Sequence, residues 1–284
     1  MAAALNPAPL DVPRLLREHG LTPRKGLGQN FLVDSAALRK LTEAAEIPPQ
    51  AVVLEIGAGV GSLTVWLAAA ARKVVAVELD AHLIPLLRQT LAGLDNVTLV
   101  EGDILALRLS DWIEEEGYLV VANIPYYITS AIIRHLLEHR PRPARMVLTM
   151  QREVAERICA PPGELSLLAL SVQVYGRPQP VLRIPAGAFY PPPQVDSVSL
   201  RVDLYPEPLI PPALLNDFFR LAKAGFAQKR KTLRNSLSAG LGIPPAEAAA
   251  LLQTAGIDPQ RRAETLAIPE WEQLSRVWAQ QRGG

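Results

Sequence analysis

Val52-Val53-Leu54-Glu55-Ile56-Gly57-Ala58-Gly59-Val60-Gly61-Ser62 is the stretch from which the fold can be read. Its first five residues form a short apolar run rich in β-branched side chains, the signature of a buried strand. Three glycines at alternate positions follow, and Ser62–Ala71 then reads as a helix. A strand that turns sharply through glycines into a helix lets the backbone approach a ligand closely at the strand's carboxyl end. The spacing is Gly-x-Gly-x-Gly, which differs from the Gly-x-Gly-x-x-Gly of dinucleotide sites.

Outward from this stretch the same alternation repeats. Strand-like runs occupy Lys73–Leu79, Val97–Val100, Tyr118–Ala122 and Arg145–Met150, with helical stretches at Ala81–Leu94 and Thr129–His139. Apolar strands alternating with amphipathic helices indicate a parallel sheet covered on both faces. Right-handed crossovers place every strand's carboxyl end on one side. Upstream, Asp11–His19 reads as a short helix, and Asp34 caps another whose Ala37, Leu38, Leu41 and Ala45 recur at helical spacing. After Met150 come two helical stretches, Gln151–Cys159 and Leu165–Tyr175, broken by Pro161-Pro162-Gly163. Val181–Ile184 and Ser197–Leu204 then read as a hairpin added to the sheet edge. Prolines at 206, 208, 211 and 212 mark a boundary. Beyond it Leu214–Ala227, Lys231–Ala239, Pro245–Thr254 and Pro269–Gln280 read as helices. The expected architecture is an α/β domain over 1–205, with 1–22 as an extension, and a small all-helical domain over 206–284.

Composition narrows the class. The chain has 284 residues, of which 49% are hydrophobic and 20% charged, ordinary for a soluble globular protein. No apolar run reaches the length of a membrane span, so no membrane partner is expected. Met1 to Pro13 holds three prolines and no basic residue ahead of its apolar part, and does not read as a signal peptide. The single cysteine, Cys159, excludes an internal disulfide framework and suits a reducing cytoplasm. It reads as a helix-packing residue. No heptad or apolar stripe suggests more than a monomer. His135 and His139 lie one helical turn apart without an acidic partner, so no metal site is expected.

Net charge is only +1, but basic residues cluster. Arg14, Arg17, Arg24 and Lys25 form one group; Lys229, Arg230, Lys231 and Arg234 form another. Such clusters usually mean a solvated face, and flanking a base-binding site they point to nucleic acid.

The acids after the strands indicate what the glycine turn receives. Glu78 ends the second strand, where a carboxylate can accept both hydroxyls of a ribose. Asp103 follows the third strand, where it can accept from the exocyclic amine of an adenine. Dinucleotide sites do not usually require that third acid. Gly57, Gly59, Glu78 and Asp103 together favour an adenosine-bearing cofactor of the S-adenosylmethionine kind. Asp80 and Glu101 read as caps or surface charges.

Asn123-Ile124-Pro125-Tyr126 closes the fourth strand. Adenine N6 is a poor nucleophile because its lone pair is delocalised into the ring. What it needs is acceptors that hold the amine with its lone pair aimed at the methyl group, a positioning and electrostatic contribution. The Asn123 side-chain oxygen and the Ile124 carbonyl can supply them, and Tyr126 can stack on the base. Phe189, fixed by the stiff Pro191-Pro192-Pro193 run, would form the other wall around an extruded base.

Four motifs together resemble the ribosomal RNA adenine N6,N6-dimethyltransferase family. They are Gly28-Gln29-Asn30-Phe31-Leu32, Glu55–Gly59, Asn123–Tyr126 and Phe189–Ser197. Phe226–Asn235 is similar to the helical-domain signature of its bacterial small-subunit branch, the kasugamycin-sensitivity dimethyltransferases. The resemblance implies a Rossmann-like class I S-adenosylmethionine-dependent methyltransferase domain with a small helical domain. It implies cofactor positions at Asn30, Leu32, Gly57, Glu78, Asp103 and Asn123. It places the acceptor base at Asn123, Ile124, Pro125, Tyr126 and Phe189. Its substrate would be two adjacent adenosines in the 3′-terminal hairpin loop of 16S rRNA, within the 30S ribosomal subunit. Arg24, Lys25, Lys229, Arg230, Lys231 and Arg234 are the candidate RNA contacts. The rival branch methylates a 23S adenine and confers macrolide resistance; a primary role in 30S assembly is another reading. An NAD oxidoreductase is disfavoured by the glycine spacing and Asp103.

Overall fold

The computed structural model of the chain describes residues 7–124 and 128–283. The run Val52–Ile56 is a strand, β2, buried at every position. Helix α1 (Val12–Glu18) and a two-residue strand β1 (Phe31–Leu32) precede it, with α2 (Ser35–Ala45) between, capped by the Asp34 carboxylate. There follow α3 (Ser62–Ala70), β3 (Lys73–Glu78), α4 (Ile84–Thr90), β4 (Val97–Glu101), β5 (Tyr118–Asn123), α5 (Thr129–Glu138) and β6 (Pro143–Gln151). Then come α6 (Arg152–Ile158), α7 (Leu167–Gln173), β7 (Gly176–Ile184), β8 (Phe189–Tyr190) and β9 (Ser197–Leu204). Helices α8 (Leu215–Phe226), α9 (Leu233–Leu241), α10 (Pro245–Thr254) and α11 (Ile268–Gly283) complete the chain.

Seven strands form one sheet in the order β4-β3-β2-β5-β6-β9-β7. β2 through β6 run parallel, and β9 pairs antiparallel to β6 from Arg145↔Asp203 to Gln151↔Ser197. The chain order reverses between β2 and β5. In such sheets the crevice outside the carboxyl ends at the reversal receives ligand. Here those ends are Gly57 and Asn123.

Among the expected elements, two differ most in their bounds. α4 spans Ile84–Thr90 where Ala81–Leu94 was expected. Pro85 suits a first helical turn, and Leu83 N–H bonds instead to the Asp80 carbonyl in a preceding turn. β7 begins at Gly176 rather than Val181, running through Pro178 and Pro180. It is the sheet's outermost strand, where proline costs no central ladder bond.

Contacts divide the chain into two units, one of Met1–Ala155 with Pro178–Leu204 and one of Glu156–Arg177 with Tyr205–Gly284. The segment Glu156–Arg177, from within α6 through α7, thus groups with the carboxyl-terminal helices beyond 205. Tyr205 N–H donates to the Tyr175 carbonyl (2.9 Å), Gly163 N–H to that of Glu264 (3.0 Å), and Tyr175 stacks on Phe219. Aromatic rings meet within this second unit: Phe226 stacks on Trp271, and Phe218 meets Trp271 edge-on. α8 and α9 cross so closely that a Cβ on Gly240 would lie 2.6 Å from that of Ala224.

Candidate active site

The turn after β2 is held open by backbone. Gly57 and Gly59 have φ of +75° and +61°, a left-handed conformation that other residues adopt at a cost. The N–H groups of Gly57 and Ala58 both donate to the Val77 carbonyl, at 2.8 and 3.1 Å, and tie the turn to β3. A Cβ on Gly59 would fall 3.0 Å from the Phe31 ring, and one on Gly57 would lie 3.7 Å from the Asn123 carbonyl oxygen. The result is a cradle whose floor is main chain.

Three acids border it. Glu78 is buried, and its two oxygens accept from Gly59 N–H (2.7 Å) and Asp80 N–H (2.8 Å). Burial pushes this carboxyl up from its ordinary range, and the two amides oppose that shift. Each oxygen keeps a further acceptor position. Asp103 is exposed, and one of its oxygens accepts from Leu105 N–H at 2.9 Å. Glu55 stands inside β2, 1% exposed, and burial raises its pKa to about 8. Its Oε2 and the Ser62 hydroxyl have no hydrogen-bond partner among the described residues. Buried polar atoms without partners are costly, so they mark a place that a polar ligand can complete.

Asn123 sits where the two halves of the sheet part. Its Nδ2 donates to the Asn30 carbonyl at 2.9 Å. A carbonyl only accepts, so this bond decides which end of the amide is which and leaves Oδ1 as an acceptor. Ile124 follows with its side chain 1% exposed, its N–H donating to the Thr149 carbonyl at 3.2 Å. One cleft is lined by Asn30, Gly57, Gly59, Glu78, Asp103, Asn123 and Ile124, with the apolar Leu79 and Ile104 beside the acids. Leu79 is 47% exposed there, a flat apolar wall. The cleft offers acceptors for hydroxyls, an apolar slot for a base and a polar acceptor at its inner end. That set suits an adenosine and a second amine-bearing group.

Comparison with known proteins agrees with this geometry. Residues 20–280 match the family described as Ribosomal RNA adenine dimethylase. The chain belongs to that family. It is 44% identical over 266 residues to the Ribosomal RNA small subunit methyltransferase A of Dehalococcoides mccartyi (strain CBDB1), covering 93% of this chain and 91% of that one. To the protein of the same description from Moorella thermoacetica it is 46% identical over 274 residues, covering 93% and 95%. Among solved structures, a dimethyladenosine transferase from Plasmodium falciparum superposes with a TM-score of 0.76 at 27% identity. That match covers 89% of this chain and 98% of the other. The 23S rRNA methyltransferase ErmE superposes at 0.68 with 30% identity, covering 87% and 99%. The protein is thus an rRNA-modifying methyltransferase with a Rossmann-like α/β domain and a helical carboxyl-terminal region.

Not every expected residue reaches the cleft of this rRNA dimethylase. Pro125 and Tyr126 lie outside the described residues. Leu32 lines a smaller adjoining hollow together with Glu55, Gly57, Ser62 and Asn123, its side chain buried. Phe189 is 3% exposed and buried in the core cluster that holds Leu32, Leu38 and Leu63, and is not among the residues that line the cleft. The reason is register. β1 pairs antiparallel with β8, Leu32↔Phe189 and Phe31↔Tyr190. Alternation sends Leu32 and Phe189 into the main core, while Phe31 and Tyr190 join Val12, Leu16, Val60, Leu83 and Leu86. Phe31 lines both hollows instead.

The basic candidates also divide. Lys229, Arg230 and Lys231 are exposed in the turn between α8 and α9, and Lys25 is exposed in the loop before β1. Arg234 is half-buried, bonded to its neighbour Asn235 at 3.2 Å. Arg24 is exposed too, but its guanidinium pairs through Nη1 with the buried Asp80 at 3.0 Å. Sequence reading missed Asp80, which is 4% exposed and no surface charge. It missed Glu55 as well, although an acid inside an otherwise apolar strand was a visible signal.

Proposed function

We propose that this rRNA dimethylase uses S-adenosylmethionine to methylate the N6 amines of two adjacent adenosines in the 3′-terminal hairpin loop of 16S rRNA, each twice. We further propose that it acts as a cytoplasmic monomer on the 30S subunit. The observation that carries the reading is the Asn123–Asn30 bond. It fixes Oδ1 as an acceptor at the carboxyl end of β5, beside the glycine cradle. When bound, the cofactor supplies an electrophilic methyl group on a sulfonium sulfur. Glu78 would accept its ribose hydroxyls, Asp103 its adenine amine, and the unpartnered Glu55 oxygen its ammonium. Leu79 would pack on its base.

Asn123 Oδ1 and the Ile124 carbonyl would each accept an N–H of the target amine, turning its lone pair toward the methyl. Tyr126 would stack on the target base. No strong base is required, because the proton leaves after transfer from a nitrogen that has become acidic. The described residues contain no group of three His, Cys, Asp or Glu side chains able to hold a metal ion. None of their helices is long and apolar enough to cross a membrane.

The names of the relatives and the basic segment at Lys229–Arg234 support this choice of target. The test is mass mapping of methylated adenines after reaction with unmethylated 30S particles and, separately, naked 23S RNA. Two dimethylated neighbours in the 16S hairpin are expected. Labelling of 23S RNA alone would move the protein to the branch represented by ErmE.

A further inference from the structure

We propose that Asp80 is the positioning residue that clamps the Arg24–Asn30 segment at the cleft and, through Asn30, sets the orientation of Asn123. The segment has no strand to hold it, since pairing with β8 begins only at Phe31. What anchors it is one carboxylate. Asp80 Oδ2 accepts from Gln29 Nε2 at 2.8 Å, and Oδ1 accepts from Arg24 Nη1 at 3.0 Å and from His82 N–H at 3.1 Å. Gln29 is tied back in turn, its Oε1 accepting from Arg24 N–H at 2.8 Å. Both ends of the segment therefore converge on Asp80. Gly28, left-handed at φ +64°, turns the chain so that the next carbonyl but one, that of Asn30, receives Asn123 Nδ2.

The same residue works on the other side of the cleft, where its N–H donates to Glu78 Oε1. Burial alone would push the Asp80 carboxyl up, but Gln29, His82 and Arg24 outweigh it and keep it ionised. A buried charge held by donors from a loop is a stiff tie, because each donor lost leaves that charge less compensated. The inference rests on Asn123 as the amine acceptor.

A reciprocal exchange tests it. Asp80→Asn sets an amide N–H against the Gln29 amide, and Gln29→Glu sets two carboxylates against each other. The double variant restores one donor facing one acceptor, with the net charge unchanged. Full-length protein is assayed for kcat and KM on unmethylated 30S particles, for S-adenosylhomocysteine binding by calorimetry, and for Tm. Each single variant should lose about tenfold or more in kcat, and the double should recover most of it. Wild-type kcat in the folded single variants, or a double as slow as the worse single, overturns the proposal. Should Asp80→Asn fail to fold, Gln29→Ala carries the test, because it cuts the tie and leaves the Arg24–Asp80 pair; unchanged kcat there is equally fatal. Asn123→Ala runs alongside. If it stays active the acceptor reading itself fails, whereas a dead Asn123→Ala beside fully active Asp80 and Gln29 variants sinks only the clamp.

Discussion

The cleft of the first unit and the α8–α9 turn of the second hold charge in opposite ways. In the cleft the ionisable groups are buried or bound: Glu78 by two amides, Asp80 by a loop, Arg24 by Asp80. In the turn, Lys229, Arg230 and Lys231 stand in solvent on a helix pair locked by the Gly240–Ala224 contact. A rigid site with prepaid orientation suits chemistry on one amine. An exposed cluster suits a partner recognised through its phosphates, at a strength that salt tunes. Arg24 stands between the two cases, half exposed and yet paired with a buried acid.

The largest effect should come from the cleft. Asn123→Ala removes the oriented acceptor while leaving the backbone of β5 paired, so turnover should fall by roughly 10²–10³-fold with Tm nearly unchanged. Single-turnover methylation of 30S particles measures it. Near-normal turnover would dissolve the distinction between the two regions.

Reversing the three exposed charges, Lys229→Glu, Arg230→Glu and Lys231→Glu together, tests the other side. Particle affinity should drop about 10- to 100-fold at moderate salt, and log Kd against log salt should flatten by roughly 0.7–0.9 per lost phosphate contact. S-adenosylhomocysteine affinity should stay put. Arg24→Ala is the internal contrast: it should cost stability and leave that slope unchanged. A slope that flattens equally for Arg24→Ala would make the two regions one electrostatic surface.

These contrasts also show what could be read beforehand. β2, β3, β5 and β6 were legible because short, mostly buried apolar runs suit the inside of a sheet, and the glycines mark where β2 must turn. Glu78 and Asp103 were legible because strand ends on one sheet edge fall together by topology. Asp80 was not, since its partners Arg24 and Gln29 lie more than fifty residues away and only the fold joins them. The burial of Phe189 was not legible for a similar reason. Its motif gives the residue, but the face it presents depends on register with β1, which a two-residue pairing hides.

Phe189 supplies a third prediction. Phe189→Ala should cost about 3 kcal/mol of stability, as for other buried aromatics, and Phe189→Leu should recover most of it. Turnover by the leucine variant within a few-fold of wild type fits a packing role. Native Tm with turnover lost would return the ring to the base-stacking wall.

The smallest effect lies in Glu55, a buried acid beside the cleft with one oxygen unpartnered among the described residues. Glu55 has its pKa raised by burial to about 8, against an ordinary value of 4.5 in the unfolded chain. A raised carboxyl pKa means the folded state binds the proton more tightly than the unfolded one. Stability is then fullest below the unfolded value and falls as pH climbs through the window from about 4.5 to about 8. Glu55→Gln cannot ionise, so it should lack this decline, matching wild type near pH 4 and exceeding it by about 1–3 kcal/mol near pH 8. Thermal melts across that range, without ligand, provide the measurement. Parallel curves would mean that Glu55 is already compensated, and the contrast between a fully bound cleft and an open turn would then hold without exception.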